Sequence, residues 1–309
     1  MLDTRKGEAL LAVIDAGSFE QAAVRLHLTP SAISQRISAM EAELGTPLII
    51  RAKPCRATPA GQRLVQYLRR SRLLEQEFMA DSAGAQARPL SVALAVNNDS
   101  LATWLLPGLA QFLMAENILL DISLDDQDHT YHLLSQGLVL AGVSSQAQPM
   151  RGCDVQALGT MRYRLMATPD FARRWFPDGL QREAARVAPV MQFDRKDTLQ
   201  SNFLLREVGL PVGSYPCHYV PASEAFVGAI RLGLGYGMIP ERPYGDMLGT
   251  GELVDLAPDK PTDVMLYWHA WRVQSPKMER LSAHVIAAAR TGLRQPEAQS
   301  AETMFQSAI

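Results

Sequence analysis

Thr29-Pro-Ser-Ala-Ile-Ser-Gln-Arg-Ile-Ser-Ala-Met-Glu41 is the stretch whose periodicity decides the architecture. At about 100° per residue, Ile33, Ile37 and Met40 share one edge of a helix. Ser31, Ser34, Gln35 and Ser38 gather on the opposite face. A helix built only to fill a core has no use for a face of small polar side chains, whereas one lying in a DNA groove does. Thr29 is a good N-cap and Pro30 a good first helical residue, because the missing proline N–H would lack a partner there anyway. Arg36 sits on the flank, where its stem can cover apolar surface while the guanidinium reaches a phosphate.

Working outward, Phe19, Ala22, Ala23 and Leu26 repeat at i, i+3, i+4, i+7 behind a capping Ser18, and Leu10, Val13 and Ile14 mark an earlier helix. His27-Leu28 is a connection short enough for a helix-turn-helix. Those residues alone also fit an ordinary three-helix packing unit. Downstream, Gly45 ends the helical pattern, 47–51 reads as a short strand, Lys53 to Arg56 as a turn, and Thr58-Pro restarts a helix. A two-stranded wing there sets Arg51, Lys53 and Arg56 beside a sugar-phosphate backbone. From Thr58 to about Met79 the helix is long, and Leu64, Leu68, Ser71, Leu74 and Phe78 recur every three to four residues as a narrow, mostly apolar stripe. That stripe suits pairing with a second copy of the chain; packing onto its own domain is the alternative. Small residues at 80–89 mark a hinge and a domain boundary.

The 309 residues carry a net charge of −2, unevenly divided. Residues 1–72 hold 11 Lys/Arg against 6 Asp/Glu, while the rest holds 19 against 26. A basic head on an acidic body fits phosphate contact at one end only. Cys55, Cys153 and Cys217 are too few and too scattered for a disulfide framework or a zinc quartet. With no apolar run near 18 residues and no leader-like N-terminus, a cytoplasmic protein without membrane contact is expected.

Beyond Pro89 strand and helix alternate. Strands are expected near 90–96, 118–124, 138–143, 155–158, 163–167, 189–193, 218–221 and 264–271. Helices are expected near 100–115, 129–136, 170–175, 197–208, 223–232 and 275–290, with a loose polar tail at 291–309. The expected fold class is α+β and multidomain: a winged helix-turn-helix over 1–60, a linker helix over 58–80, a hinge over 81–89 and a 90–290 domain of two α/β lobes. Lobe I takes about 90–161 plus 265–290 and lobe II about 162–264, leaving a cleft suited to a small ligand.

With these parts in order, the chain resembles the LysR-type transcriptional regulators from end to end. The resemblance rests on Ala22-Ala23, Leu28-Thr-Pro-Ser-Ala-Ile-Ser-Gln-Arg-Ile37, Met40-Glu41, Leu44-Gly45, Pro47-Leu48, Arg51 and Thr58-Pro-Ala-Gly61. Within that family it is similar to the LysG/ArgP branch of basic amino acid regulators, through 95–107, 216–227 and Met265-Leu-Tyr-Trp-His269. The resemblance implies a periplasmic-binding-protein type of effector domain, and a dimer or tetramer on an interrupted palindrome of double-stranded DNA. It also implies an effector, lysine or arginine, that alters DNA bending and engagement of RNA polymerase, controlling basic amino acid export or metabolism. The branch has also been described as inhibiting initiation of chromosome replication, so the alternative is an architectural or replication-origin DNA binder working without an effector. Pro30 replaces the Gln common in the family, which leaves an apolar contact with a thymine methyl in place of a polar one.

A free basic amino acid needs donors for its carboxylate and carboxylates for its cations. Asn97-Asn98-Asp99-Ser100 lies at a strand end and opens a helix, where α/β folds bind ligands, and Ser223-Glu224 opens another. Ser100 and Ser223 are expected to hold the carboxylate. Asp99, Glu224, Asp125, Asp126 and Asp194 are candidates for the cations, with Trp268 and His269 as lining. Plain helix capping by Ser100 and Ser223 is the competing account. Gly233-Leu-Gly-Tyr-Gly237 is read as a tight turn between lobes rather than a dinucleotide loop. No His-x-x-x-His pair, Gly-x-Ser-x-Gly elbow or other catalytic constellation occurs, so neither an enzyme nor a metal or cofactor is expected.

Overall fold

The edge formed by Ile33, Ile37 and Met40 is buried and organises the N-terminal head. The computed structural model describes residues 3–83, 89–124, 133–150 and 152–296. Helix α1 (Thr4–Ala16) is capped by Asp3, α2 (Phe19–Leu26) by Ser18 and α3 (Pro30–Leu44) by Thr29, whose Oγ1 accepts the Ala32 N–H at 3.2 Å. Gly17 and Gly45 end α1 and α3 in the left-handed conformation that glycine adopts without strain. Leu10, Val13, Ala22, Leu48 and Val65 complete the head core.

The wing is a short antiparallel pair, β1 (Ile49–Ile50) with β2 (Arg56–Ala57). Helix α4 (Pro59–Ala83) follows, and Thr58 accepts the Gly61 N–H at 3.0 Å. Because α4 runs to Ala83, residues 81–83 are helical rather than hinge, and 84–88 lie outside the described residues. The expected pairing stripe divides. Leu64 and Leu68 pack on the head core, whereas Leu74 and Phe78 are exposed. The reason is angular: α4 must cover the open side of α1, and residues one turn apart from Leu64 through Leu68 serve that side.

The body runs β3 (Leu90–Val96), α5 (Asn98–Ser100), a π-helical turn (Leu101–Leu105), α6 (Leu106–Ala115), β4 (Ile118–Leu124), β5 (Ala141–Ser144) and β6 (Cys153–Ala167). Then come α7 (Pro169–Trp175), α8 (Arg182–Val187), β7 (Val190–Gln192), α9 (Leu199–Val208), β8 (Cys217–Tyr219), α10 (Ser223–Arg231) and β9 (Gly237–Pro240). The chain closes with α11 (Glu241–Tyr244), α12 (Asp246–Gly249), β10 (Val254–Asp255), β11 (Thr262–Trp271) and α13 (Pro276–Gly292). Of the helix expected over 129–136, the described part is one turn at 133–135.

Strand β3 lies parallel to β4 and β5, β5 pairs antiparallel with β11, and β11 pairs antiparallel with β6. The last residues of β6 then pair with β9 and β10, so one strand belongs to both lobes. This corrects the reading of 155–158 and 163–167 as separate strands. Gly159 lies between those spans, and its φ of +131° sits beside a register shift inside a continuous strand. A Cβ there would stand 2.8 Å from the Arg294 carbonyl, and Thr160 pairs with Arg294. The same pairing ties down the beginning of the expected loose tail: α13 reaches Gly292, and 297–309 lie outside the described residues. The Gly233–Gly237 turn joins α10 to β9 inside lobe II rather than bridging the lobes.

Candidate functional site

Two surfaces are candidates. On the head, Thr29, Pro30, Ser31, Gln35 and Ser38 are exposed on the face opposite the buried edge, with Ser34 and Arg36 half-buried. The Thr29 and Ser31 hydroxyls hydrogen-bond at 2.9 Å, so the first turn of α3 presents an ordered pair of small polar groups. Glu41 fixes the wing root by accepting the Leu48 N–H at 2.7 Å and the Ile49 N–H at 3.3 Å. The Cys55 N–H donates to the Gly17 carbonyl at 2.7 Å and ties the wing to the α1–α2 turn. Arg51, Lys53 and Arg56 are all exposed on it, Arg51 with its guanidinium 5.1 Å from the Phe19 ring centre. Exposed cations beside a helix with a small polar face can hold phosphates while the helix reads base edges.

The second surface is a cavity of about 560 Å³ between the lobes. Lobe I contributes Asn97, Asn98 and Asp99 from the end of β3 and the start of α5, and Ser145 after β5. Lobe II contributes Asp194, Lys196, Asp197, Gln200, Arg206 and Ser223, while Tyr163 enters from the shared strand β6. Asp99 stands at the junction: one carboxylate oxygen accepts the Ser223 hydroxyl at 2.7 Å and the other the Tyr163 hydroxyl at 2.8 Å. Burial pushes the Asp99 carboxyl above the ordinary carboxylate range, and the two hydroxyl donors only partly offset it. Tyr163 is pushed well above its ordinary value by burial and by the neighbouring Asp99. Burial also raises Asp197, against the Leu199 N–H that donates to it at 2.9 Å, and Asp99 adds repulsion. Asp194 accepts the N–H groups of Lys196 and Asp197 at 2.7 and 2.8 Å, so it shapes the rim loop. Gln200 is buried and accepts the Met238 N–H at 2.6 Å, joining α9 to β9 behind the cavity.

Of the effector residues expected from sequence, Asn98, Asp99, Asp194 and Ser223 meet at this cavity. The others do not. Ser100 is fully buried away from it, and the cap of α5 is Asn97, which accepts the Ser100 N–H at 3.2 Å. Ser223 neither caps α10 nor stands ready for an anion, because its hydroxyl is committed to Asp99. Glu224 is exposed and off the lining. Trp268 is buried, its indole N–H donating to Ser282 at 3.0 Å, and His269 is buried with Nε2–H donating to the Gln146 carbonyl at 2.7 Å. Both sit in the part of β11 paired on either side by β5 and β6, and neither is among the residues lining the cavity, which β11 reaches instead through Thr262 and Val264. Asp125 and Asp126 lie outside the described residues. Sequence reasoning named Asn97 only as part of the strand end and missed Tyr163, Lys196, Asp197, Gln200 and Arg206. Asp197 falls at the start of an expected helix and Tyr163 in an expected strand, and nothing local to either marks its nearness to Asp99, which comes only with the tertiary fold.

Among the described residues no helix is long and apolar enough to cross a membrane, and no group of three His, Cys, Asp or Glu is placed to hold a metal ion. Residues 5–62 match the family model of the bacterial regulatory helix-turn-helix protein, lysR family, and 85–290 match the LysR substrate binding domain. The HTH-type transcriptional regulator ArgP of Aeromonas salmonicida is 42% identical over 294 residues, covering 95% of this chain and 98% of that one. The crystal structure of ArgP from Mycobacterium tuberculosis superposes with a TM-score of 0.82 at 39% identity, covering 96% of this chain and 100% of that one. Full-length LysG from Corynebacterium glutamicum, solved with bound effector Arg, gives a TM-score of 0.77 at 38% identity, covering 95% and 100%.

Proposed function

This chain belongs to the LysR family of transcriptional regulators, in the branch of ArgP and LysG, and from that premise we propose that arginine or lysine is the effector filling its cleft. The observation that carries this reading is Asp99, a buried lobe I carboxylate bonded to Ser223 of lobe II and Tyr163 of the shared strand, with Asp197 lining the same cavity from lobe II. Two carboxyls held above their ordinary range have an unmet need for cations, and a basic amino acid supplies two. Its own carboxylate is met by Lys196 and Arg206 from lobe II and the Asn98 amide from lobe I, all lining the same cavity. The arginine bound to the Corynebacterium LysG supports the choice of ligand.

Paired heads then grip the two halves of an interrupted palindrome, with Ser31, Ser34 and Gln35 on base edges and Arg36, Arg51, Lys53 and Arg56 on phosphates. Exposed Tyr67, Leu74 and Phe78 on α4 join two copies, and two such dimers form a tetramer. Effector binding alters how the DNA is held and how RNA polymerase is engaged, in the cytoplasm, at genes for basic amino acid export. Titration calorimetry with arginine, lysine, leucine and glutamate tests the ligand class. Heat with the first two alone is expected; equal response to leucine would overturn it. A duplex selected from a random library by the full-length protein, compared with random duplex with and without arginine, tests the regulator reading. Identical binding in all four states would overturn that.

A further inference from the structure

Helix α4 does more than separate the head from the body, because two glycines let it wedge tightly between them. On the head side, a Cβ on Gly7 would lie 2.9 Å from the Leu68 methyl. On the body side, a Cβ on Gly137 would lie 2.7 Å from Gln66 Cγ and 3.2 Å from the Gln66 backbone nitrogen, and Gly137 has a φ of +67°. Both contacts fall in one turn of α4. The amide of Gln66 donates to the Ser135 carbonyl at 2.7 Å in the same body turn. Arg69, one turn further on, donates to two places at once: the Gly137 carbonyl in the body and the Asp15 carboxylate at the end of α1 in the head. Its side chain is only 17% exposed, so the two contacts hold a largely desolvated guanidinium. Asp15 in turn pairs with Arg25 of α2 at 3.4 Å.

We propose that Arg69 is a positioning residue that couples the cleft to the DNA-reading head. The turn it grips at 133–137 leads through Leu138 to β5, and Ser145 just beyond β5 lines the cavity. Leu134 of that turn packs with Trp271, over which the Arg70 guanidinium lies 4.6 Å from the ring centre. A shift of the cavity wall along β5 therefore moves the carbonyl that Arg69 holds, and Asp15 moves with it. This goes beyond the assignment of the effector and does not require arginine to be the ligand.

Hydrogen exchange on the ligand-free full-length protein tests it. The Gly137 and Leu138 amides donate to the Leu134 and Leu133 carbonyls at 2.9 Å, so they report on the turn. Asp15→Asn, a change in the head, is expected to speed their exchange about threefold or more. Arg69→Ala is expected to do the same, and the double variant no more than Arg69→Ala alone. Glu43→Gln, which breaks the Lys6–Glu43 pair elsewhere in the head, leaves them unchanged. Unchanged exchange in Asp15→Asn, or full additivity in the double variant, overturns the proposal. In a second arm, arginine alters exchange along α1 in the parent protein, and Arg69→Ala removes that response while calorimetry shows arginine affinity retained. A full response in Arg69→Ala also overturns it. Failure of arginine to bind the parent protein would instead overturn the effector assignment, and the ligand-free arm would still decide the role of Arg69.

Discussion

Asp99 is under opposed demands, and they set the pH behaviour of the protein. Its folded value, like that of Asp197, lies above the ordinary carboxylate range, so the ligand-free native state binds more protons than the unfolded chain between those values. Stability of the ligand-free protein therefore falls as pH rises through that window. A cationic effector favours the ionised carboxylates, so its binding releases protons and its affinity rises with pH over the same window. Asp99→Asn is expected to raise ligand-free stability at neutral pH by ~1 kcal/mol, since Asn still accepts from Ser223 without a charge to desolvate. It should also weaken arginine binding by about 100-fold, the loss of a buried charge partner. Thermal unfolding and calorimetry at two pH values check both signs. On the head, Gln35→Ala should relax base preference at one operator position by about 1–3 kcal/mol. Arg51→Ala should instead weaken all sequences alike and lower the salt slope by about 1, read by binding to selected duplex across a salt series. Asp99 was legible in the sequence because Asn98-Asp99 follows a strand and opens a helix, a local pattern. Its partners Ser223 and Tyr163 are 124 and 64 residues away, and no local pattern reveals which oxygen each hydroxyl serves.

At the scale of elements, α4 shows why one periodic stripe can have two destinations. Leu64 and Leu68 lie over the head core, while Tyr67, Leu74 and Phe78 are respectively 51%, 48% and 71% exposed at spacings that keep them on one side. Leu74→Glu with Phe78→Glu should dissociate the oligomer and leave the fold intact, as sedimentation velocity and circular dichroism would report. Leu68→Glu should unfold the head instead, because that side chain packs against Gly7. Helices with caps and stripes were well marked, as Ser18, Thr29 and Thr58 show by capping as their sequence context predicts. The shared strand β6 was not. Gly159 carries the usual mark of a break, and its real cause is the Arg294 backbone passing within van der Waals range, a contact between residues far apart in the chain. Trp268 and His269 misled for a related reason. An aromatic pair near a cleft-forming segment looks like lining until strand pairing on both sides of β11 shows that it is interior sheet.

The whole molecule divides differently from the way its lobes suggest. One apolar core runs from Val92 and Leu94 in lobe I through Met161, Tyr163 and Leu165 on β6 to Phe203, Leu204 and Tyr236 in lobe II. The head has a separate core around Leu10, Ile33, Ile37 and Met40. Cooperative units follow cores, because removing one part of a shared core exposes the remainder to water. The body, both lobes together, should therefore unfold in a single calorimetric transition, with the head in another. A ligand that binds only the folded cleft stabilises the unit containing that cleft. Arginine at 100 times its dissociation constant should thus add about 2.7 kcal/mol to the body transition as a whole. The head transition should move only as far as the contacts along α4 transmit the change, and in Arg69→Ala it should stay where it was. Separate melting of the two lobes, with arginine shifting one of them, would mean that β6 joins two independent units and that the cleft closes as a hinge without a common core.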